Sequence, residues 1–73
     1  MEKSDIVKYK DGKGQLACGS GVYPSAVVIS LDPLVMTSES SDMRWESTLG
    51  KQKDFEVIGK ASEAVYQNCL RRL

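Results

Sequence analysis

The sequence predicts an α+β fold: a small antiparallel β-sheet of about four to five strands with one C-terminal α-helix packed on it. Three observations carry this expectation. Met43, Trp45 and Ser47 alternate with Arg44, Glu46 and Thr48, the period of two that marks a strand with one wet side. Asp11-Gly12 stands between two runs of β-forming residues, a pattern that favours a hairpin because both central residues of its turn take positive φ. Val65, Tyr66, Cys69, Leu70 and Leu73 recur at helical spacing and form one apolar stripe.

Ile6-Val7-Lys8-Tyr9-Lys10 reads as a first strand, Asp11 to Gly14 as its turn, and Gln15-Leu16-Ala17-Cys18 as the returning strand. Gly19-Ser20-Gly21 ends that strand, and Tyr23-Pro24-Ser25 is expected to be an irregular link with Tyr23 exposed. Ala26 to Leu31 is the most apolar stretch and reads as a central strand. Strict alternation would send Val27, Ile29 and Leu31 to one face and Val28 and Ser30 to the other. Asp32-Pro33 interrupts it, because proline cannot donate a ladder hydrogen bond, and Leu34-Val35-Met36-Thr37 resumes as strand.

Ser38 to Asp42 is a polar loop before the alternating strand around Trp45. Leu49 to Lys53 turns the chain, and Asp54 to Ile58 is a last strand with Phe55 and Val57 on one face. Ser62 is the expected N-cap of the helix, since its hydroxyl can accept a free backbone N–H. Glu63 falls in the first helical turn and Arg71 and Arg72 in the last, each matching the helix dipole. The helix stripe is expected to pack on Val27, Ile29, Trp45, Phe55 and Val57. The whole chain, 1–73, reads as a single domain without repeats or low-complexity tracts.

Composition limits the function. A chain of 73 residues buries only about 60% of the surface its unfolded form exposes, so its stability margin is thin. It has no histidine, two distant cysteines, and ten basic residues against ten acidic. A neutral chain has no electrostatic footprint for duplex nucleic acid. The charge is uneven: Asp32, Glu39, Asp42 and Glu46 face one base, Arg44, in the middle, whereas Lys51, Lys53, Lys60, Arg71 and Arg72 outnumber Asp54, Glu56 and Glu63 towards the end. The longest apolar run, Ala26 to Ile29, is far short of a membrane span of about 20 residues. The opening Met1-Glu2-Lys3-Ser4-Asp5 lacks the apolar stretch of a signal peptide, so an intracellular protein with reduced cysteines is expected. Cys18 and Cys69 read as small buried hydrophobes, and sequence alone gives no support for a disulfide between them.

No catalytic constellation emerges. Gly12-Lys13-Gly14-Gln15-Leu16-Ala17 matches the dinucleotide-binding fingerprint in letters. That fingerprint works only between a strand and a helix, and here more strand comes after it, so the glycines read as turn residues. No serine has a histidine base or a nucleophile elbow. Glu46 and Glu56 could face each other across adjacent strands, but exposed strand carboxylates are solubilising. Two distant cysteines have no zinc-ligand spacing. The expectation is a binding protein, not an enzyme, with no cofactor and no metal.

Trp45 reads as a core residue, or alternatively as an interface anchor with Arg44 beside it if that strand lies at an edge. Tyr9 and Tyr23 carry the same two readings. Lys8, Tyr9, Lys10 and Lys13 interleave bases with an aromatic at the first turn. The candidate partner-binding residues are therefore Lys8, Tyr9, Lys10, Lys13, Tyr23 and Arg44. The pattern at the first turn is also a miniature of a single-stranded nucleic-acid face, or a solvated edge where lysines discourage aggregation. A self-assembling interaction module, whose helix stripe pairs between protomers, is a third reading.

From Met1-Glu2-Lys3-Ser4-Asp5-Ile6-Val7 to Tyr66-Gln67-Asn68-Cys69-Leu70-Arg71-Arg72-Leu73, the chain resembles small transcription regulators encoded by lytic phages of plant-pathogenic bacteria. The resemblance lies in length and overall character, not in a short motif, and it brings no contact residue with it. It implies a non-enzymatic, monomeric protein in the host bacterial cytoplasm that binds the β′ subunit of host RNA polymerase. Such a regulator displaces the σ factor, inhibits initiation, and acts as an antiterminator on the elongating enzyme, where elongation factors can also be partners. Neither a membrane nor direct nucleic-acid binding is implied.

Overall fold

In the computed structural model, residues 1–19, 21–39, 43–47 and 49–72 are described. The apolar and alternating runs form strands Asp5–Tyr9 (β1), Leu16–Cys18 (β2), Gly21–Tyr23 (β3), Ala26–Leu31 (β4), Leu34–Thr37 (β5), Arg44–Ser47 (β6) and Phe55–Lys60 (β7), with a 3-10 helix at Leu49–Asp54 and an α-helix at Glu63–Arg71 (α1). Five strands make one sheet in the order β6-β5-β4-β1-β7, and every neighbouring pair is antiparallel. β2 and β3 form a separate two-stranded ribbon. The fold is α+β, a five-stranded antiparallel sheet with a C-terminal helix.

Strand alternation splits the core in two. On one side of the sheet Val27, Ile29 and Val35 pack with Cys69 of α1, flanked by Ile6, Ala61, Val65 and Tyr66. On the other side Val7, Ala26, Val28, Leu34, Met36 and Phe55 pack with Leu16 of the ribbon, flanked by Tyr9, Tyr23, Leu31 and Trp45. The sheet is thus covered by the helix on one face and by the ribbon on the other. Val7, Val28 and Leu34 are wholly buried, and each such side chain contributes about 1.5–3 kcal/mol.

Several expectations change. The Asp11-Gly12 turn exists, closed by Lys13 N–H donating to the Lys10 carbonyl at 3.0 Å, but the strands flanking it do not pair. Both edges of β1 are already taken, by β4 and β7, and the chain leaves the sheet plane to lay β2 across its face. Gly21–Tyr23, read as the end of a strand and an irregular link, pairs with β2 instead. The alternation in β4 slips at an irregularity between Val28 and Ser30. An extra residue in one strand reverses the facing of the residues beyond it, so Leu31 joins Val28 and not Ile29. Val65, Tyr66 and Cys69 of the helix stripe meet Val27 and Ile29 as expected, whereas Leu70 of that stripe is exposed, Trp45 and Phe55 lie on the ribbon side and Val57 is about half exposed, at 49%.

Pro33 is joined to Asp32 through a cis peptide bond, and this two-residue connection links β4 to β5 with Leu31 opposite Leu34. Gln52, in the 3-10 helix that replaces the expected turn, donates from Nε2 to the Leu31 carbonyl at 2.7 Å. Glu46 and Glu56 fall on the two outer strands of the sheet and cannot meet. α1 begins as the sequence indicates: Ser62 Oγ accepts from Val65 N–H at 3.3 Å, with Glu63 in the first turn and Arg71 in the last. Cys69 is a buried free thiol on that helix. Thr48 and Leu73, assigned to the alternating strand and the helix stripe, lie outside the described residues.

Candidate functional site

The first turn and the ribbon build an open cleft. Tyr9 ends β1 opposite Phe55, and the two rings lie 4.1 Å apart, tilted by 30°. Lys10 N–H donates to the Asp54 carbonyl at 2.8 Å, which anchors the turn to the start of β7. Gly12 takes φ +78° and Gly14 φ +154°, conformations that side-chain-bearing residues rarely adopt. At Gly14 the backbone lies so close to the Tyr9 ring that an added Cβ would sit 2.9 Å from Cε1. This close approach lets the chain fold back over Tyr9 and enter β2.

In the ribbon, Leu16 stands opposite Tyr23. Tyr23 meets Trp45 edge to face at a centroid distance of 5.4 Å. Trp45 Nε1 donates to the Ala17 carbonyl at 2.9 Å, so one side chain of β6 holds the ribbon by an apolar contact and a hydrogen bond. Between turn and ribbon opens a cleft of about 240 Å³ lined by Lys8, Tyr9, Asp11, Gly14, Gln15, Leu16, Val22, Tyr23 and Pro24.

Three of the six candidate contact residues, Lys8, Tyr9 and Tyr23, therefore line one cavity. Lys10 and Lys13 are exposed on the adjoining turn. Lys8 Nζ lies 3.3 Å from Glu56 across the β1–β7 pair; both groups are nearly half exposed, so the ion pair contributes at most about 1 kcal/mol. Tyr23 is half-buried rather than exposed, because Trp45 covers part of its ring. Arg44 lies elsewhere. Its strand is an edge of the sheet, three strand spacings of about 4.8 Å from β1, and its guanidinium pairs with Glu46 of the same strand.

Leu16, Val22 and Pro24 complete the cleft but are not among the residues the sequence singles out. The signal for Val22 is weak: one valine in a glycine-flanked stretch, which only the pairing of β3 with β2 turns into a wall. The glycine-rich segment at residues 12–17 leads from β1 into β2 of the separate ribbon and not into a helix, so it is not arranged as a dinucleotide-binding loop.

A second polar cluster joins the chain start to β7. Lys60 Nζ lies 2.9 Å from Glu2 and 3.6 Å from Asp5. Asp5, only 7% exposed, also accepts from the Glu2 amide at 2.6 Å. The hydrogen bond to Glu2 raises the Lys60 pKa above its usual 10.5; desolvation opposes this, and the Glu2 and Asp5 charges with a hydrogen bond to Asp5 add to it. Among the described residues, no group of three or more His, Cys, Asp or Glu side chains is placed to hold a metal ion, and no helix is long and apolar enough to cross a membrane.

Comparison of the chain with protein-family models, with curated proteins and with solved structures gives no match.

Proposed function

We propose that this chain is a non-enzymatic protein that binds host bacterial RNA polymerase through its β′ subunit, displaces σ, inhibits initiation, and acts as an antiterminator. The observation that carries the reading is the gathering of Lys8, Tyr9 and Tyr23 around one open cleft, with Lys10 and Lys13 beside it. The full-length resemblance to small phage regulators supplies the partner. A displacing regulator needs only a contact that is stronger with one state of the polymerase than with the other. A standard interface takes about 800 Å² per partner. The whole protein exposes 4468 Å², so docking would engage close to a fifth of its surface.

The single-stranded nucleic-acid reading is less well supported. It needs aromatic faces open for bases to stack on, and the Tyr9 ring is engaged by Phe55 and Gly14 while Tyr23 is engaged by Trp45. The test is a pull-down with tagged, folded protein from lysate of a plant-pathogenic bacterial host, with captured proteins identified by mass spectrometry. Recovery of β and β′ depleted of σ is the expected result. Absence of polymerase subunits would overturn the proposal.

A further inference from the structure

Resting on this docking function, we infer that the cleft between the first turn and the β2–β3 ribbon receives an acidic, extended segment of the protein partner. An apolar side chain of that segment sits against Leu16, Val22 and Pro24, and its carboxylates face Lys10 and Lys13.

Size, apolar exposure and charge each point to this occupant. At about 240 Å³, the cleft falls below the range of about 300–1,000 Å³ typical of metabolite pockets, and it suits a single side chain. Val22, in its wall, is 57% exposed, the most exposed of the large apolar residues among those described. Leu16 beside it is 3% exposed and gives the wall a fixed base.

The charge around the cleft is mostly basic. Lys8 and Asp11 line it, and Lys10 and Lys13 border it. Lys8 already has Glu56 as a partner. Among the described residues Lys10 and Lys13 form no ion pair, and the hydrogen bond from Lys13 N–H to the Lys10 carbonyl holds their backbones together. An incoming carboxylate thus gains two ammonium groups without breaking an existing pair. A nucleic acid would gain the same charges but no free ring to stack on, so an acidic peptide is the better fit.

The test is an NMR titration of the ¹⁵N-labelled full chain at low salt. The probes are acetyl-Glu-Leu-Asp-Leu-Glu-amide, its lysine counterpart acetyl-Lys-Leu-Lys-Leu-Lys-amide, and a short oligo(dT). The acidic peptide is expected to shift the amides of Lys10, Lys13, Leu16 and Val22, and the shifts should shrink as salt is added. The double variant Lys10→Glu/Lys13→Glu changes only exposed side chains, so its spectrum elsewhere should be retained. Its affinity for the acidic peptide should fall about tenfold.

Equal shifts by the lysine peptide, larger shifts by oligo(dT), shifts mapping away from the cleft, or no response to the acidic peptide at millimolar concentration would each overturn the inference. Its failure is separable from failure of the polymerase reading. If the double variant captures polymerase as well as the wild-type chain does, the cleft assignment falls and the partner stands. If the wild-type chain captures no polymerase while the peptide shifts map to the cleft, the partner falls and the preference for acidic segments stands.

Discussion

Gly14 offers the most discriminating test of how the cleft is built. Replacing it with alanine imposes two penalties. The backbone sits at φ +154°, and holding a side-chain-bearing residue in so sparsely populated a region costs about 1–3 kcal/mol. The new Cβ would also lie 2.9, 3.1 and 3.2 Å from Cε1, Cζ and Cδ1 of Tyr9. The ring can swing away only by giving up its packing on Phe55, 4.1 Å distant, and such overpacking costs about 1–3 kcal/mol. Reduced freedom of the unfolded chain returns only about 0.4–1 kcal/mol. The net loss is about 3 kcal/mol, a shift of roughly 12–24 °C in Tm for a domain of this size.

Gly12 supplies the control. Its φ is +78° and nothing lies within 4 Å of an added Cβ. Gly12→Ala then carries only the left-handed backbone cost of about 1–2 kcal/mol, partly offset by the same chain entropy. Urea titrations of both variants, monitored by Trp45 fluorescence and far-ultraviolet circular dichroism, should place Gly14→Ala about 2 kcal/mol below Gly12→Ala. Equal destabilisation, or a more costly Gly12→Ala, would show that the chain does not pass over Tyr9 as described.

Three further outcomes are expected. Trp45→Phe keeps an aromatic ring but loses the pyrrole half of the indole and with it the hydrogen bond from Nε1 to the Ala17 carbonyl; urea unfolding followed by circular dichroism should show a loss of at least about 0.5–1 kcal/mol, with amide shifts concentrated around Ala17, and a spectrum unchanged there would contradict the ribbon's attachment. Thr37 Oγ1 is buried with no hydrogen-bond partner among the described residues; Thr37→Val should therefore stabilise the protein by about 1 kcal/mol in the same assay, and a loss of stability would contradict the hydroxyl's unpaired state. The Lys60 pKa is raised in the folded state by its hydrogen bond to Glu2. Its stabilising effect is therefore complete below pH 10.5 and is lost as pH rises through the higher folded value. The urea midpoints of the wild-type chain and Lys60→Gln should converge above pH 10.5, and a constant gap would refute the linkage.

The local signals in the sequence are reliable where a single element decides its own structure. Ser62 caps the helix, Val65, Tyr66 and Cys69 pack inward, and the residues around Trp45 form a strand, because caps and periodicities act within a few residues. What the sequence does not display is which strands meet. Asp11-Gly12 does turn the chain, but hairpin pairing also needs a free edge on β1, and β4 and β7 occupy both. The irregularity in β4 moves Leu31 to the ribbon face, and nothing in Ala26–Leu31 marks the residue at which alternation slips.

The site is half legible for the same reason. Lys8, Tyr9, Lys10 and Lys13 are close in sequence and stay close in space. Tyr23 joins them only because β2 and β3 fold over the sheet, and Arg44 is kept away by the strand order. The edges of the sheet carry further information that appears only in three dimensions. Ion pairs Lys8–Glu56 and Lys60–Glu2 border β7, and its register with β1 shifts between Ile6 and Val7. Charges and irregular edges of this kind discourage edge-to-edge pairing between copies.

The most direct test of the account is binding to purified RNA polymerase holoenzyme from a plant-pathogenic bacterial host, read by size-exclusion chromatography with σ fluorescently labelled. The account predicts that the wild-type chain co-elutes with the core enzyme while labelled σ is released, and that Lys10→Glu/Lys13→Glu releases less σ at equal concentration. Holoenzyme that retains all of its σ and carries none of the folded wild-type chain would contradict it.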